Sequence, residues 1–351
     1  MKKTLVAIAA VVATTGAMAE AVISGGVDYG YLKKTTGSTV SNSMGGDTNQ
    51  FNNLSVSASE DLGNGMTGKA KYDLGIGYSE GLGASYTRES WVGLSGPFGD
   101  LSLGRQYTPI FLAATVDPIG LPALSVGQEG LVAVFLTGTA AADTAGTRDV
   151  RANSSFSYTT PAFSGIKLNI FNAMSGAQNT ATVGYTSAYG VSYAADALSL
   201  NYVRQTTDLE GISNVHSDAI AHTTTYTDGT GDTVRTMLAA SYDAGFAKFV
   251  FINGEASNSA LKVATNYFAI GFPVPGSNLS LAASVNSSTV TDEATAANDA
   301  TVTGGMLKVN YAFSKRTNVY MIYGQDKTNN VDGSDTSRTT TTTSFGLSHT
   351  F

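Results

Sequence analysis

The chain of 351 residues is 42% apolar but only 13% charged, with 39 Gly, no Cys and 20 basic against 27 acidic residues, a formal charge of −7. That excludes a disordered chain, which would lack the aromatics, and a disulfide scaffold, which would need cysteines. It also excludes a helical membrane protein, because no apolar run after residue 20 approaches the roughly 18 residues of a span, and an acidic chain lacks the basic footprint of a nucleic-acid binder.

At the N-terminus, Lys2 and Lys3 precede an apolar stretch over 5–12 and the small-x-small triplet Ala17-Met18-Ala19. This predicts a cleaved export leader over 1–19 and a single mature domain over 20–351 beginning at Glu20. Loss of Lys2 and Lys3 leaves 18 basic residues against the 27 acidic ones, a charge of −9.

From residue 21 onward the dominant hydropathic period is two. Strand-like alternation occurs at 21–31, 53–60, 69–76, 90–94, 154–158, 167–171 and 199–203, then at 237–242, 248–252, 266–272, 279–285, 306–313 and 318–323. It is clearest at the end, where Phe345, Leu347 and Phe351 alternate with Ser344, Gly346, Ser348 and Thr350. Such a strand meets a different solvent on each face. No stretch carries a helical stripe.

The connections alternate in length. Tight turns rich in Gly, Pro, Asn and Asp fall at 61–65, 96–100, 161–165, 195–197, 243–245, 273–276 and 313–316, supplying the backbone angles a hairpin needs. Between them lie long polar stretches, notably 32–49, 109–148, 207–232, 288–302 and 326–339. Short turns at one end and free loops at the other describe an up-and-down transmembrane barrel. Seven tight turns joining eight hairpins predict sixteen antiparallel strands. The low charge follows, because the lipid-facing half of each strand excludes ions.

Few residues suggest chemistry. Gly63-Asn64-Gly65-Met66-Thr67-Gly68 matches a dinucleotide fingerprint, but that fingerprint needs a following helix, and an alternating strand follows here. His216, His222 and His349 are dispersed, and Asp292, Glu293, Asp326, Asp332 and Asp335 fall in predicted outer loops. No catalytic constellation, cofactor site or metal site is predicted. Arg105 and Arg151 flank the longest connection, 109–148, which carries Asp117 and Glu129. Folded inward, that loop would set its carboxylates against the arginines across a constriction and produce charge selectivity. The same arginines would serve equally as ion-pair residues at the rim.

Ser59-Glu60-Asp61-Leu62-Gly63-Asn64-Gly65, RESWVGL at 88–94, FGDLSLGRQYTP at 98–109, RANSSFSYTTPAFSG at 151–165 and the ending GLSHTF at 346–351 resemble the general Gram-negative porins. The similarity is strongest to the neisserial and β-proteobacterial branch. The resemblance implies an all-β, 16-stranded barrel, a homotrimer, and a third loop folded inward against wall arginines. Arg105 and Arg151 match two such wall positions and Arg88 a frequent arginine of the preceding strand, whereas Asn53 stands where a third wall arginine is expected. The terminal Phe351 resembles the signal read by the outer-membrane insertion machinery.

The expectation is a passive outer-membrane channel for ions and small hydrophilic solutes, in contact with lipid and lipopolysaccharide and without nucleic-acid partners. Asn53, the acidic loops and the negative charge favour cations. An outer-membrane barrel enzyme would instead need a nucleophile and base clustered at one rim. A surface adhesin would partition without detergent.

Overall fold

The structure, a computed structural model, describes residues 20–77, 86–120, 150–174, 185–208, 232–259, 261–293, 296, 299–331 and 336–351. Its strands are β1 (Glu20–Thr36), β2 (Thr39–Gly45), β3 (Asn53–Gly63), β4 (Met66–Gly75), β5 (Tyr86–Gly96), β6 (Gly99–Tyr107), β7 (Arg151–Thr159), β8 (Ile166–Ala173) and β9 (Thr186–Ala195). The ring continues with β10 (Leu198–Asp208), β11 (Asp232–Asp243), β12 (Lys248–Ser257), β13 (Leu261–Pro273), β14 (Leu279–Asp292), β15 (Ala300–Ala312), β16 (Thr317–Val331) and β17 (Thr336–Thr350).

Each strand pairs antiparallel with its neighbours, and β1 closes the ring on β17 from Gly26↔Thr350 to Thr36↔Thr340. The upper part of β1 pairs with β2 and its lower part with β3. These two are halves of one interrupted wall strand, so the barrel has sixteen staves, as the turn count predicts.

The alternation resolves into two faces. On β17 Phe345 and Leu347 are 55% and 50% exposed on the outside, while Ser344 and Ser348 face inward and are fully buried. A contiguous apolar exterior in water would forfeit about 25 cal/mol per Å², so the surroundings that fit this wall are lipid. Among the described residues no helix is long and apolar enough to cross a membrane.

The turns lie where their residues predict, as at β3–β4, where Asn64 and Gly65 adopt φ of 52° and 73°, the left-handed pair of a tight hairpin. Several long loops are shorter than the sequence suggests. The polar runs at 288–302 and 326–339 carry the ends of β14–β17, and the first escapes the alternation because its outward positions are the polar Thr289, Thr301 and Thr303 while the inward Val290, Ala300 and Val302 are buried. Likewise β9 escapes the alternation, since its inward Ala188 and Gly190 contrast weakly with outward Tyr189 and Val191. The predicted loop 32–49 is a continuation of β1, a turn at Gly37 and Ser38, and β2. The one described helix, α1 (Pro109–Ala114), lies in the longest connection.

Candidate functional site

The longest connection leaves β6 and turns into the barrel. Thr108 N donates to the Val150 carbonyl at 2.9 Å, tying the root of the loop shut. Pro109 then starts α1, where a missing N–H costs nothing. The helix buries Ile110, Ala113 and Ala114 against Val203, Met237 and Ala239 on the inner face of β10 and β11, leaving Leu112 half exposed.

Beyond α1 the chain runs along the wall. Asp117 Oδ1 accepts from Tyr267 Oη of β13 at 2.7 Å and from Ile119 N at 3.1 Å. Lys308 Nζ of β15 donates to the Ile119 carbonyl at 2.6 Å. Pro118 rests on Gly271, where a Cβ would come within 2.6 Å of the proline ring. This part of the loop is therefore laid against β10–β15, with its acid turned into the wall.

Burial holds the Asp117 carboxyl above the usual carboxylate range, against the lowering effect of the Tyr267 hydroxyl and the Ile119 amide. The folded chain thus binds the Asp117 proton more tightly than the unfolded chain does. Its contribution to stability is greatest at low pH and falls as pH rises from the unfolded carboxylate value, about 3.9, through the folded pKa. Asp117→Asn, which has no proton to lose, is expected to flatten part of that fall. Urea midpoints from about pH 4 to about pH 8 test it, and an unchanged slope would contradict it.

The arginines occupy the other side of the ring. A register shift between Asp73 and Leu74 lets Arg88 of β5 turn inward, where its Nε meets Asp73 Oδ2 at 3.2 Å. Its Nη2 donates to Tyr107 Oη at 2.5 Å, and the guanidinium lies 4.2 Å from the centre of the Phe51 ring. Arg151 donates to the same Tyr107 oxygen at 3.2 Å and lies over the Tyr107 ring at 4.8 Å. Tyr107 in turn stacks on Phe111 of α1, centroids 4.5 Å apart. Both arginines are buried under this aromatic layer, which gains both packing and cation–π attraction.

The sequence-predicted residues are thus only partly brought together. Arg88 and Arg151 share a partner. Arg105, beside the register shift between Gly104 and Gln106, bonds to the Thr87 carbonyl at 2.8 Å and to Asn153 Oδ1 at 2.7 Å. Asp117 points at Tyr267 instead of at the arginines, because β13 lies halfway round the ring from β5. Glu129, His216, His222, Asp332 and Asp335 fall outside the described residues. Asp326, expected in an outer loop, is buried on β16. His349 is on the outer face of β17, its Nδ1 2.8 Å from Thr317 Oγ1.

Asn53 donates to Asp73 Oδ1 at 2.7 Å, so Asp73 is shared between it and Arg88. Lys71 pairs with Glu89, which also accepts from Trp91 Nε1 at 3.1 Å, and Lys69 pairs with Asp100 at 3.1 Å. The wall of β3–β6 therefore carries its charges largely as pairs. Among the described residues no three His, Cys, Asp or Glu side chains are grouped to hold a metal ion. Sequence reasoning missed Asp28, Phe51, Tyr267 and Lys308; the only local sign of the first two is the Gly45-Gly46-Asp47 break in the alternation.

A profile of the Gram-negative porins matches residues 6–331. The outer membrane porin protein 32 of Delftia acidovorans is 26% identical over 292 residues, covering 78% of this chain and 76% of its own length. Among solved structures, an anion-selective porin from Comamonas acidovorans shares 21% identity at a TM-score of 0.73, over 95% of this chain and all (100%) of its own. The Vibrio cholerae outer membrane protein OmpT in its trimer form shares 17% identity at a TM-score of 0.64, over 95% of this chain and 99% of its own. With a family match running through nearly the whole barrel, the chain belongs to the Gram-negative porin family.

Proposed function

We propose that the protein is a passive diffusion channel of a Gram-negative outer membrane, carrying ions and small hydrophilic solutes without a chemical step. The observation that carries this reading is the inverted barrel, apolar outside and lined within by polar side chains together with the apolar patch on which the inward loop packs. Family membership supports an outer-membrane channel. In this reading the loop after β6 and the cluster of Arg88 and Arg151 form the constriction, the mature chain starts at Glu20 after loss of a leader, and three copies assemble in a membrane faced with lipopolysaccharide. The trimer form of a structural neighbour supports the assembly.

Ion preference is the finer part. The negative charge of the sequence favours cations, whereas one structural neighbour is an anion-selective porin. Pairing of Arg88 with Asp73, Lys71 with Glu89 and Lys69 with Asp100 argues for weak selectivity of either sign, because a neutralised wall imposes little field on passing ions. The test is single-channel current of the purified mature protein in a planar bilayer under a salt gradient. Ohmic steps with a small reversal potential are expected. Arg151→Ala is expected to move the reversal potential toward cations; an unchanged reversal potential would remove Arg151 from the constriction.

A further inference from the structure

Between β2 and β3 the wall carries more chain than its ladder needs. Pairing with β1 runs to Gly30↔Gly45 on one side and resumes at Gly26↔Asn53 on the other, so residues 46–52 stand opposite only residues 27–29. Seven residues face three, an excess of four. An even excess leaves the inward and outward faces of both flanking strands unchanged, whereas an odd one would invert one of them. The barrel therefore accommodates the extra chain without disturbing its lipid face.

The excess folds into the lumen and is fixed there. Asp28, fully buried on β1, accepts from the backbone N–H groups of Thr48 at 2.7 Å and Asn49 at 2.9 Å and from Ser348 Oγ at 2.9 Å. Asn52 repairs the gap in the ladder, its Oδ1 accepting from Asp28 N at 2.5 Å and its Nδ2 donating to the Asp28 carbonyl at 3.2 Å. Asn49 Nδ2 reaches Ser348 of β17 at 2.9 Å and Asn318 of β16 at 3.2 Å. At the other end Phe51 lies on the Arg88 guanidinium. The segment so spans the inner wall from β16 to β5, and Asn49 and Gln50 share with Pro118 of the long loop the lining of one cavity of about 550 Å³ that also holds Lys248 and Lys308.

We propose, on the basis of the channel reading, that residues 46–52 are a second, fixed pore-narrowing element, independent of the long loop. It limits conductance by occupying lumen cross-section, and through Phe51 it keeps the Arg88 charge from permeating anions. A buried guanidinium covered by a ring presents its charge to the pore only weakly, and removing the ring admits water and anions to it.

The test uses the full mature chain with residues 48–51 deleted, which leaves Gly46, Asp47 and Asn52 to complete the ladder opposite 27–29, and a second variant, Phe51→Ala. Single-channel conductance of the deletion is expected to rise about 1.5-fold or more, as a wider water-filled section predicts. Phe51→Ala is expected to shift the reversal potential toward anions with a smaller change in conductance. A deletion variant that keeps the heat-modifiable barrel and conducts like the parent overturns the proposal. Should the deletion not assemble, an unshifted reversal potential in Phe51→Ala overturns it equally. A parent protein that never conducts would defeat the channel reading itself, and this proposal with it.

Discussion

Tyr267→Phe is expected to turn a quiet channel into one with frequent excursions to higher conductance. Its hydroxyl donates at 2.7 Å to Asp117, whose other oxygen has no hydrogen-bond partner among the described residues, so the variant would leave that carboxyl with only the Ile119 amide. With the Asp117 carboxyl ionised, above its raised pKa, a hydrogen bond to it contributes about 1.5–3 kcal/mol. At 1.4 kcal/mol per decade this loosens docking of the loop on β13 by roughly 10- to 100-fold. Gly271→Val should release the same contact from the other side, because a Cβ there meets the Pro118 ring at 2.6 Å. Lys308→Gln retains a donor toward the Ile119 carbonyl and should change less. Current traces at fixed voltage read all three, and open-channel noise identical to the parent in Tyr267→Phe would mean that the loop is held elsewhere.

The largest loss of stability is expected from Asp73→Ala. Asp73 and Arg88 are both 4% exposed and 3.2 Å apart. Removing one member of a buried ion pair leaves the other desolvated and uncompensated, a cost of about 3–5 kcal/mol, whereas replacing both with apolar residues of similar volume is often nearly neutral. The double variant Asp73→Leu/Arg88→Met should therefore recover much of what the single change loses. Urea unfolding of the barrel in lipid vesicles gives both values. A single variant within about 0.5 kcal/mol of the parent would show that water reaches Arg88. Lys69 and Asp100, at 40% and 59% exposure, are the internal control, since exposed pairs contribute only about 0–1 kcal/mol.

These expectations draw on residues that the sequence marks unequally. Arg151 stands out because it flanks the longest connection, and Arg88 because its RESWVGL context resembles the porins. Asn53 was legible as a missing arginine, yet what it does instead, sharing Asp73 with Arg88, needed the ladder between β3 and β4. Arg105 flanks the same connection, but its partners, the Thr87 carbonyl and Asn153, follow from a register shift between Gly104 and Gln106 that the sequence does not announce.

The sequence by itself determined most of the wall: the number of staves, the greater part of their strands, the end with tight turns and the face toward lipid. All of these follow from local alternation and turn chemistry, which act over a few residues. Only the tertiary structure decided what fills the lumen. Asp117 meets a tyrosine 150 residues further along, and Asp28 meets a serine 320 residues away because β1 and β17 close the ring. A β-bulge turns Arg88 inward, and an even excess of chain hides between β2 and β3. Alternation of period two carries no record of such contacts, since partners across a closed barrel are set by ring closure and register and not by spacing along the chain.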